Sequence, residues 1–265
     1  MNIPIYLVDA FTIKPFTGNP AAVCLLEQAK DDTWMQAVAA EMALSETAFL
    51  VPKGNGHHLR WFTPTTEVKL CGHATLASAH ILFENGFYEE DELIEFYTLS
   101  GTLKASNTDG FVELDLPRRD TKLIDSPPEL SKALGIKPIN AASYEDEIIL
   151  AEFDSEDSIR SLAPNFELLK ALSFHDVIVT AKADKEKYDF VSRFFAPKVG
   201  INEDPVTGSA HCLLGPYWAP KLGKQEFLAF QASARSGEIW VRLQGERVFV
   251  GGKAITVLQG KLIHQ

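Results

Sequence analysis

Alternation of apolar and polar residues along much of the chain predicts short β-strands with few helices. The N-terminal stretch MNIPIYLVDAFT is typical of a strand. Residues 92–117 and 238–263 alternate in the manner of β-hairpins, and turns are predicted at Ser100-Gly101 and Asp109-Gly110. We therefore expect a fold that combines sheets with a small number of helices.

One helix is predicted to follow a glycine turn. Residues 67–86, EVKLCGHATLASAHILFENG, begin as a strand, turn at Gly72 and continue as a helix that ends at Asn85-Gly86. The backbone N–H groups near Gly72 and His73 would then lie at a helix N-terminus, where unpaired donors bind carboxylates or phosphates. Alternatively, the glycine and its small neighbours only permit a tight turn and close helix packing.

The chain contains an internal repeat. Three blocks recur in the same order in both halves, and each pair shares its residue types. The matched pairs are Leu44-Ser45 with Leu172-Ser173, RWFTP (60–64) with RFFAP (193–197), and the segment from Gly72 with the segment from Gly208. The repeat predicts two similar lobes of strand and helix.

The predicted lobe boundaries follow from a segment rich in charge and proline. We expect an N-terminal lobe over 1–118, completed by a C-terminal strand over about 254–265. A linker is predicted over 119–129, and a C-terminal lobe over 130–253.

The second glycine motif, NEDPVTGSAHCLLGPYW (202–218), predicts a second helix N-terminus. Asp204 can cap the helix, and Pro205 suits its first turn. Gly208 and Ser209 allow a ligand to approach the backbone closely.

Glu46 is a carboxylate at the junction between a predicted helix (Thr33 to Met42) and a predicted strand (Ala48 to Val51). Aligning LSETAFLV with LSFHDVIV places Glu46 opposite Phe174, so the first lobe has a carboxylate where the second lobe has an aromatic ring. The repeat therefore indicates one acid/base residue, present in the first lobe only. Its apolar flanks predict partial desolvation, which suits a carboxylate for proton transfer at neutral pH. Alternatively, Glu46 ends a helix and pairs with a basic side chain or faces water.

Composition excludes several functional classes. The net charge of the 265 residues is −11, which argues against binding to nucleic acid or to anionic membrane surfaces. No apolar run approaches the roughly 20 residues of a membrane span, and the N-terminus lacks the pattern of a signal peptide. Three cysteines without metal-ligand spacing are expected to be reduced thiols, so a cytoplasmic location is expected.

Four motifs together resemble the phenazine-biosynthesis isomerase (PhzF-like) family. They are DAFTIKPFTGNPAAVCLL (9–26), SETAFLV (45–51), RWFTPTTEVKLCGHATLASA (60–79) and EDPVTGSAHCLLGPYW (203–218). The resemblance implies an α+β fold of the diaminopimelate-epimerase type, with two pseudo-symmetric lobes that each wrap a mixed or antiparallel sheet around a central helix. It also implies an active site between the lobes, a homodimer, and no metal or cofactor.

The resemblance also implies an activity and a set of residues. The activity is a hydrogen shift on a small carboxylic acid, similar to that of trans-2,3-dihydro-3-hydroxyanthranilate isomerase, with Glu46 as general acid/base. The implied catalytic residues are Glu46, His73 and Asp204, and the implied substrate-binding residues are Asn19, Gly72, Gly208 and Ser209.

Two alternatives remain. The chain could be a non-catalytic homodimer that binds a small molecule. It could also be an amino-acid racemase or epimerase that uses two thiols, because Cys71-Gly72-His73 resembles the first thiol site of such enzymes. That mechanism needs a second thiol just before Gly208, where this chain has Pro205, Val206 and Thr207, and Cys212 comes one turn too late.

Overall fold

A computed structural model describes residues 2–184 and 186–263 and divides the chain into two compact units. The first lobe comprises Met1–Leu116 and Phe249–Gln265, and the second lobe comprises Pro117–Val248. Residues 264 and 265 of the predicted C-terminal strand lie outside the described residues.

The strands are numbered along the chain. They are β1 (Ile3–Ala10), β2 (Asn19–Leu25), β3 (Glu46–Lys53), β4 (Gly56–Phe62), β5 (Glu67–Val68), β6 (Ile94–Thr98), β7 (Gly101–Thr108), β8 (Phe111–Pro117), β9 (Lys122–Ile124), β10 (Asn140–Tyr144), β11 (Ile148–Glu152), β12 (Asp176–Lys182), β13 (Phe190–Ala196), β14 (Ile201–Asp204), β15 (Glu226–Gln231), β16 (Gly237–Gln244), β17 (Arg247–Gly252) and β18 (Ala254–Leu262).

The helices are fewer and mostly short. They are α1 (Asp32–Met42), α2 (Gly72–Glu84), α3 (Pro128–Leu134), α4 (Glu156–Ser161), α5 (Phe166–Lys170) and α6 (His211–Leu222), with 3₁₀ turns at Pro197–Val199 and Gly208–Ala210. Among the residues that the structure describes, no helix has the length and apolar character needed to cross a membrane.

The first lobe is a mixed sheet around one buried helix. β1 is antiparallel to both β18 and β2, β2 is parallel to β3, and β3 is antiparallel to β4. β4 runs parallel to β6, which leads through antiparallel pairs to β7 and β8. Helix α2 is buried on nearly every side because its residues are apolar or small all round.

The second lobe repeats this topology. β10 is antiparallel to β11, β11 is parallel to β12, and β12 is antiparallel to β13. β13 runs parallel to β15, which is antiparallel to β16. Helix α6 is the buried counterpart of α2. The predicted α+β fold with two pseudo-symmetric lobes is therefore confirmed.

The repeat extends to a pair of arginines at matching strand positions. In the first lobe, Arg60 donates two hydrogen bonds of 2.7 Å to Glu67, and its guanidinium lies 5.1 Å from the ring centre of Phe62. In the second lobe, Arg193 donates to Glu203 at 2.7 and 2.9 Å and lies 5.1 Å from the ring centre of Phe195. One bidentate Arg–Glu pair thus joins β4 to β5 in the first lobe, and a second joins β13 to β14 in the second lobe.

We expect Arg193→Met to lower the free energy of unfolding by about 2–4 kcal/mol, because it leaves Glu203 unpaired in a site where that side chain is only 20% exposed. The substitution also removes two hydrogen bonds to the carbonyls of Ile159 and Leu162. Urea unfolding would measure the change. Arg118→Met, which removes an exposed pair with Asp120, is the control and should change stability by less than about 1 kcal/mol.

The strand register corrects the prediction of which second-lobe residue is equivalent to Glu46. Phe49 lies opposite Arg60, and Val179 lies opposite Arg193. Because the two arginines are equivalent, the first residues of β3 and β12 are equivalent too, and these are Glu46 and Asp176. The prediction that Phe174 replaces Glu46 in the second lobe was wrong by two residues, since the segment before β12 is longer than the motif match allowed.

Two further segments differ from the sequence-based description. Within the expected linker 119–129, Lys122–Ile124 forms β9, which pairs with β10 of the second lobe. The predicted N-cap at Asp204 is also wrong: Asp204 ends β14, and helical structure begins only at Gly208. Pro205 is therefore outside the first helical turn. The Asp204 carboxylate accepts a hydrogen bond from the Thr207 hydroxyl instead of capping a helix.

Candidate functional site

Glu46 and His73 meet within the first lobe. Glu46 is the first residue of β3, next to Ala21 of β2, and His73 is in the first turn of α2. The Nε2 atom of His73 lies 3.4 Å from Oε2 of Glu46. Their side chains are only 4% and 13% exposed, so the imidazole and the carboxylate face each other largely away from water.

His73 is electrically neutral at physiological pH. Burial disfavours the imidazolium ion and lowers the pKa of His73 to about 3. Its second ring nitrogen, Nδ1, lies 3.5 Å from Sγ of Cys71. One ring nitrogen therefore lies near a thiol and the other near a carboxylate, and a neutral imidazole can donate one hydrogen bond while accepting another.

The start of helix α2 offers backbone donors beside this imidazole. Cys71 is the N-cap residue, and its side chain makes no capping hydrogen bond. The N–H groups of the first turn, which begins at Gly72, are thus not occupied by the N-cap side chain. Together with the positive end of the helix dipole, they suit a carboxylate ligand. The predicted helix from Gly72, with Asn85 as its C-cap, is confirmed.

Asn19 lies close to the same group of residues. It is the first residue of β2 and is fully buried. The hydroxyl of Ser45 donates to Oδ1 of Asn19 at 3.3 Å, and Ser45 immediately precedes Glu46. The first lobe thus brings together Asn19, Glu46, Gly72 and His73 from three separate motifs. Sequence reasoning placed Ser45 in the repeat and in the SETAF motif but gave it no role in the site.

In the second lobe, Asp204 is held by two residues that the sequence did not reveal. The Thr207 hydroxyl donates to Oδ2 of Asp204 at 2.5 Å. Gln231 donates to the backbone carbonyl of Asp204 and accepts from the Thr207 N–H, both at 2.8 Å. Gly208 and Ser209 follow as the first residues of a 3₁₀ turn that leads into α6. Thr207 could have been found from its place in DPVTGS, but no local pattern marks Gln231.

The remaining thiols are unsuited to proton transfer. Cys24 is a core residue of β2, and Cys212 lies in the first turn of α6. Burial raises the pKa of each thiol to about 12, so both remain protonated and inaccessible.

Burial of His211 is expected to make stability dependent on pH. Its Nδ1 donates to the Thr207 carbonyl at 2.9 Å, and burial lowers its pKa from 6.5 to about 4. The unfolded chain therefore binds one more proton than the folded chain between pH 6.5 and about 4, so stability falls as pH falls through that window. His211→Asn should reduce this dependence by about 1.4 kcal/mol per pH unit.

Urea unfolding of wild type and His211→Asn at pH 7, 6 and 5 would check this prediction. His175→Asn serves as the control, because the His175 side chain is 50% exposed. If the free energy of unfolding falls equally with pH in wild type and His211→Asn, the prediction that buried, neutral His211 makes the protein sensitive to acid is wrong.

Comparison with known proteins places the chain among relatives with similar sequences. The family model described as phenazine biosynthesis-like protein matches residues 8–260. A protein of Halalkalibacterium halodurans named an uncharacterized isomerase is 54% identical over 264 residues, covering 99% of each chain. The crystal structure of a PhzF-family phenazine biosynthesis protein of Enterococcus faecalis matches with a TM-score of 0.94 and 41% identity, covering 100% of both chains.

A more distant structure shares the fold alone. The hydroxyproline epimerase of Agrobacterium vitis has a TM-score of 0.67 and 12% identity, with 98% of this chain and 92% of that chain covered.

Proposed function

Because this chain belongs to the phenazine biosynthesis-like family, in which close relatives are named isomerases, we propose that it is a cofactor-independent isomerase acting on a small carboxylic acid. The reaction is a hydrogen shift in which a proton leaves one carbon and is returned at another. The observation that carries this proposal is the 3.4 Å approach of the Glu46 carboxylate to a buried, neutral imidazole at a helix N-terminus.

Glu46 acts as general base and then as general acid. As a carboxylate it removes a proton from an activated C–H bond, and as the neutral acid it returns that proton at the second carbon. A positioned group of this kind contributes about 10²–10⁴-fold to the rate. The Glu46 side chain is only 13% exposed, so water can solvate little of its carboxylate. Weak solvation of the carboxylate favours its role as a base.

His73 assists as a neutral donor and acceptor. With its pKa lowered to about 3, the ring cannot neutralise Glu46 by forming a permanent ion pair at physiological pH. It can hold a polar group of the substrate by a hydrogen bond. Glu46 therefore keeps its own proton-transfer capacity.

The proposed substrate carries a carboxylate, which binds the backbone N–H groups at Gly72 and His73 at the start of α2. Asn19, fully buried beside Ser45, is proposed to bind the same molecule. Asp204, Gly208 and Ser209 are proposed as site residues of the second lobe, with Asp204 catalytic and the other two binding through their backbone. A homodimer remains an expectation from the family resemblance.

A two-thiol racemase is not favoured. The loop before Gly208 has no thiol, and Cys212 is buried in α6 with a pKa of about 12. The chain therefore lacks a second thiol base at the position that such a mechanism needs.

The proposal can be tested by proton NMR in D₂O. The protein is incubated with trans-2,3-dihydro-3-hydroxyanthranilate and with a panel of small amino and hydroxy acids. Isomerisation or deuterium incorporation in one of these compounds would support the function and identify a substrate class. Saturable binding of a panel acid without any exchange would overturn it in favour of a non-catalytic binding protein.

A further inference from the structure

The carboxylate and imidazole of the proposed site belong to a cluster that also includes a thiol. One ligand atom from each of Glu46, Cys71 and His73 lies within 4.8 Å of the others. Cys71 is only 6% exposed and His73 only 3% exposed. The proposed isomerase chemistry uses Glu46 and His73 and leaves Cys71 without a function.

The cluster has the ligand types of a zinc site. Zinc is bound by cysteine sulfur, histidine nitrogen and carboxylate oxygen, and sites with three protein ligands keep a fourth position open. With typical bond lengths, a tetrahedral zinc ion holds a sulfur and a nitrogen ligand about 3.6 Å apart. The observed distance from Cys71 Sγ to His73 Nδ1 is 3.5 Å.

A single imidazole offers only one nitrogen to a given ion. If Nδ1 of His73 binds together with the Cys71 sulfur, the Glu46 carboxylate, whose Oε2 lies 3.4 Å from Nε2 of the same ring, must rotate toward the ion to become the third ligand. A thiolate and a carboxylate together carry two negative charges. These outweigh the partial positive charge of about +0.5 at the start of α2.

We propose that Glu46, Cys71 and His73 bind a divalent cation with affinity for thiolates, such as Zn²⁺, and that the bound ion inhibits the isomerase by occupying Glu46. The inhibition rests on the proposed function, whereas the binding site does not. On binding, the Cys71 S–H bond breaks, its proton passes to water, and a sulfur–metal bond forms. Affinity therefore rises with pH.

Cd²⁺ is a suitable probe because soft thiolate ligands bind it and the bond absorbs in the ultraviolet. We would titrate Cd²⁺ into the purified full-length chain, follow thiolate-to-metal absorption, and let Zn²⁺ compete. We expect one ion per chain with a dissociation constant on the order of micromolar or lower. Cys71→Ser should remove the absorption and weaken binding at least about tenfold, and Glu46→Gln should weaken binding while the absorption remains.

Cys24→Ala and Cys212→Ala are matched controls, because both remove a buried thiol outside the cluster. Circular dichroism would confirm that every variant is folded. Unchanged Cd²⁺ absorption in Cys71→Ser, or no binding below millimolar Cd²⁺ in wild type, would overturn the site. If the active enzyme keeps its full rate of exchange when saturated with Zn²⁺, the proposal that the bound ion inhibits it is wrong.

The absorption measurement needs no substrate. A wild-type chain that catalyses no exchange but shows Cys71-dependent Cd²⁺ absorption would support the metal site while contradicting the proposed isomerase function. Exchange activity without metal binding would support the isomerase function while contradicting the metal site.

Discussion

Glu46→Gln is expected to reduce the rate of substrate hydrogen exchange by about 10²–10⁴-fold. The amide has nearly the size and shape of the carboxylate, so it preserves packing at the start of β3 while removing the group that accepts and returns the proton. The measurement is deuterium incorporation by proton NMR, using the acid identified by the substrate panel.

Glu41→Gln is the control for this substitution. Glu41 is an exposed residue of α1, and its loss should leave the exchange rate unchanged. If Glu46→Gln keeps wild-type activity while Cys71→Ser abolishes it, the proton is transferred by the thiol, and the assignment of Glu46 is wrong.

Gly18→Ala is expected to lower the free energy of unfolding by about 2–4 kcal/mol, because it combines backbone strain with overpacking. Gly18 has a φ of +69°, and a Cβ at this position would lie 2.2 Å from the backbone carbonyl oxygen of Ala10. The chain must shift to relieve that contact. Because Gly18 precedes Asn19, the same shift should also lower exchange activity under conditions in which the variant remains folded.

Gly54→Ala isolates the conformational part of this effect. Gly54 has a φ of +59°, but a Cβ there would meet no atom within 4 Å. Its loss of stability should be about 1–2 kcal/mol, the cost of the left-handed backbone alone. Equal losses in urea unfolding for the two variants would contradict the steric argument for Gly18.

Local sequence signals predicted much of the first lobe. The apolar run after Gly72 and the Asn85-Gly86 stop predicted α2 closely, because helix ends depend on nearby residues. The turn at Asp109-Gly110 was also predicted correctly, since both residues adopt positive φ angles there. The turn expected at Ser100-Gly101 lies one residue earlier, because Thr98 pairs with Gly101.

The site was predictable only as separate motifs. Sequence resemblance indicated Glu46 and His73, but their 3.4 Å contact depends on how β3 packs beside α2. The role of Gln231 in holding Asp204 and Thr207 was not predictable, because Gln231 comes from β15, far along the chain.

The sequence by itself determined the repeat of two lobes and the helix that begins at Gly72, because periodicity and turn chemistry are properties of neighbouring residues. It determined the α+β fold type and the family through the resemblance of four motifs to known proteins. Tertiary structure decided the equivalence of Glu46 and Asp176, which follows from strand register. It also decided the neutrality of His73 and the proximity of Cys71, Glu46 and His73. These features depend on burial and on contacts between distant segments, and a one-dimensional pattern specifies neither.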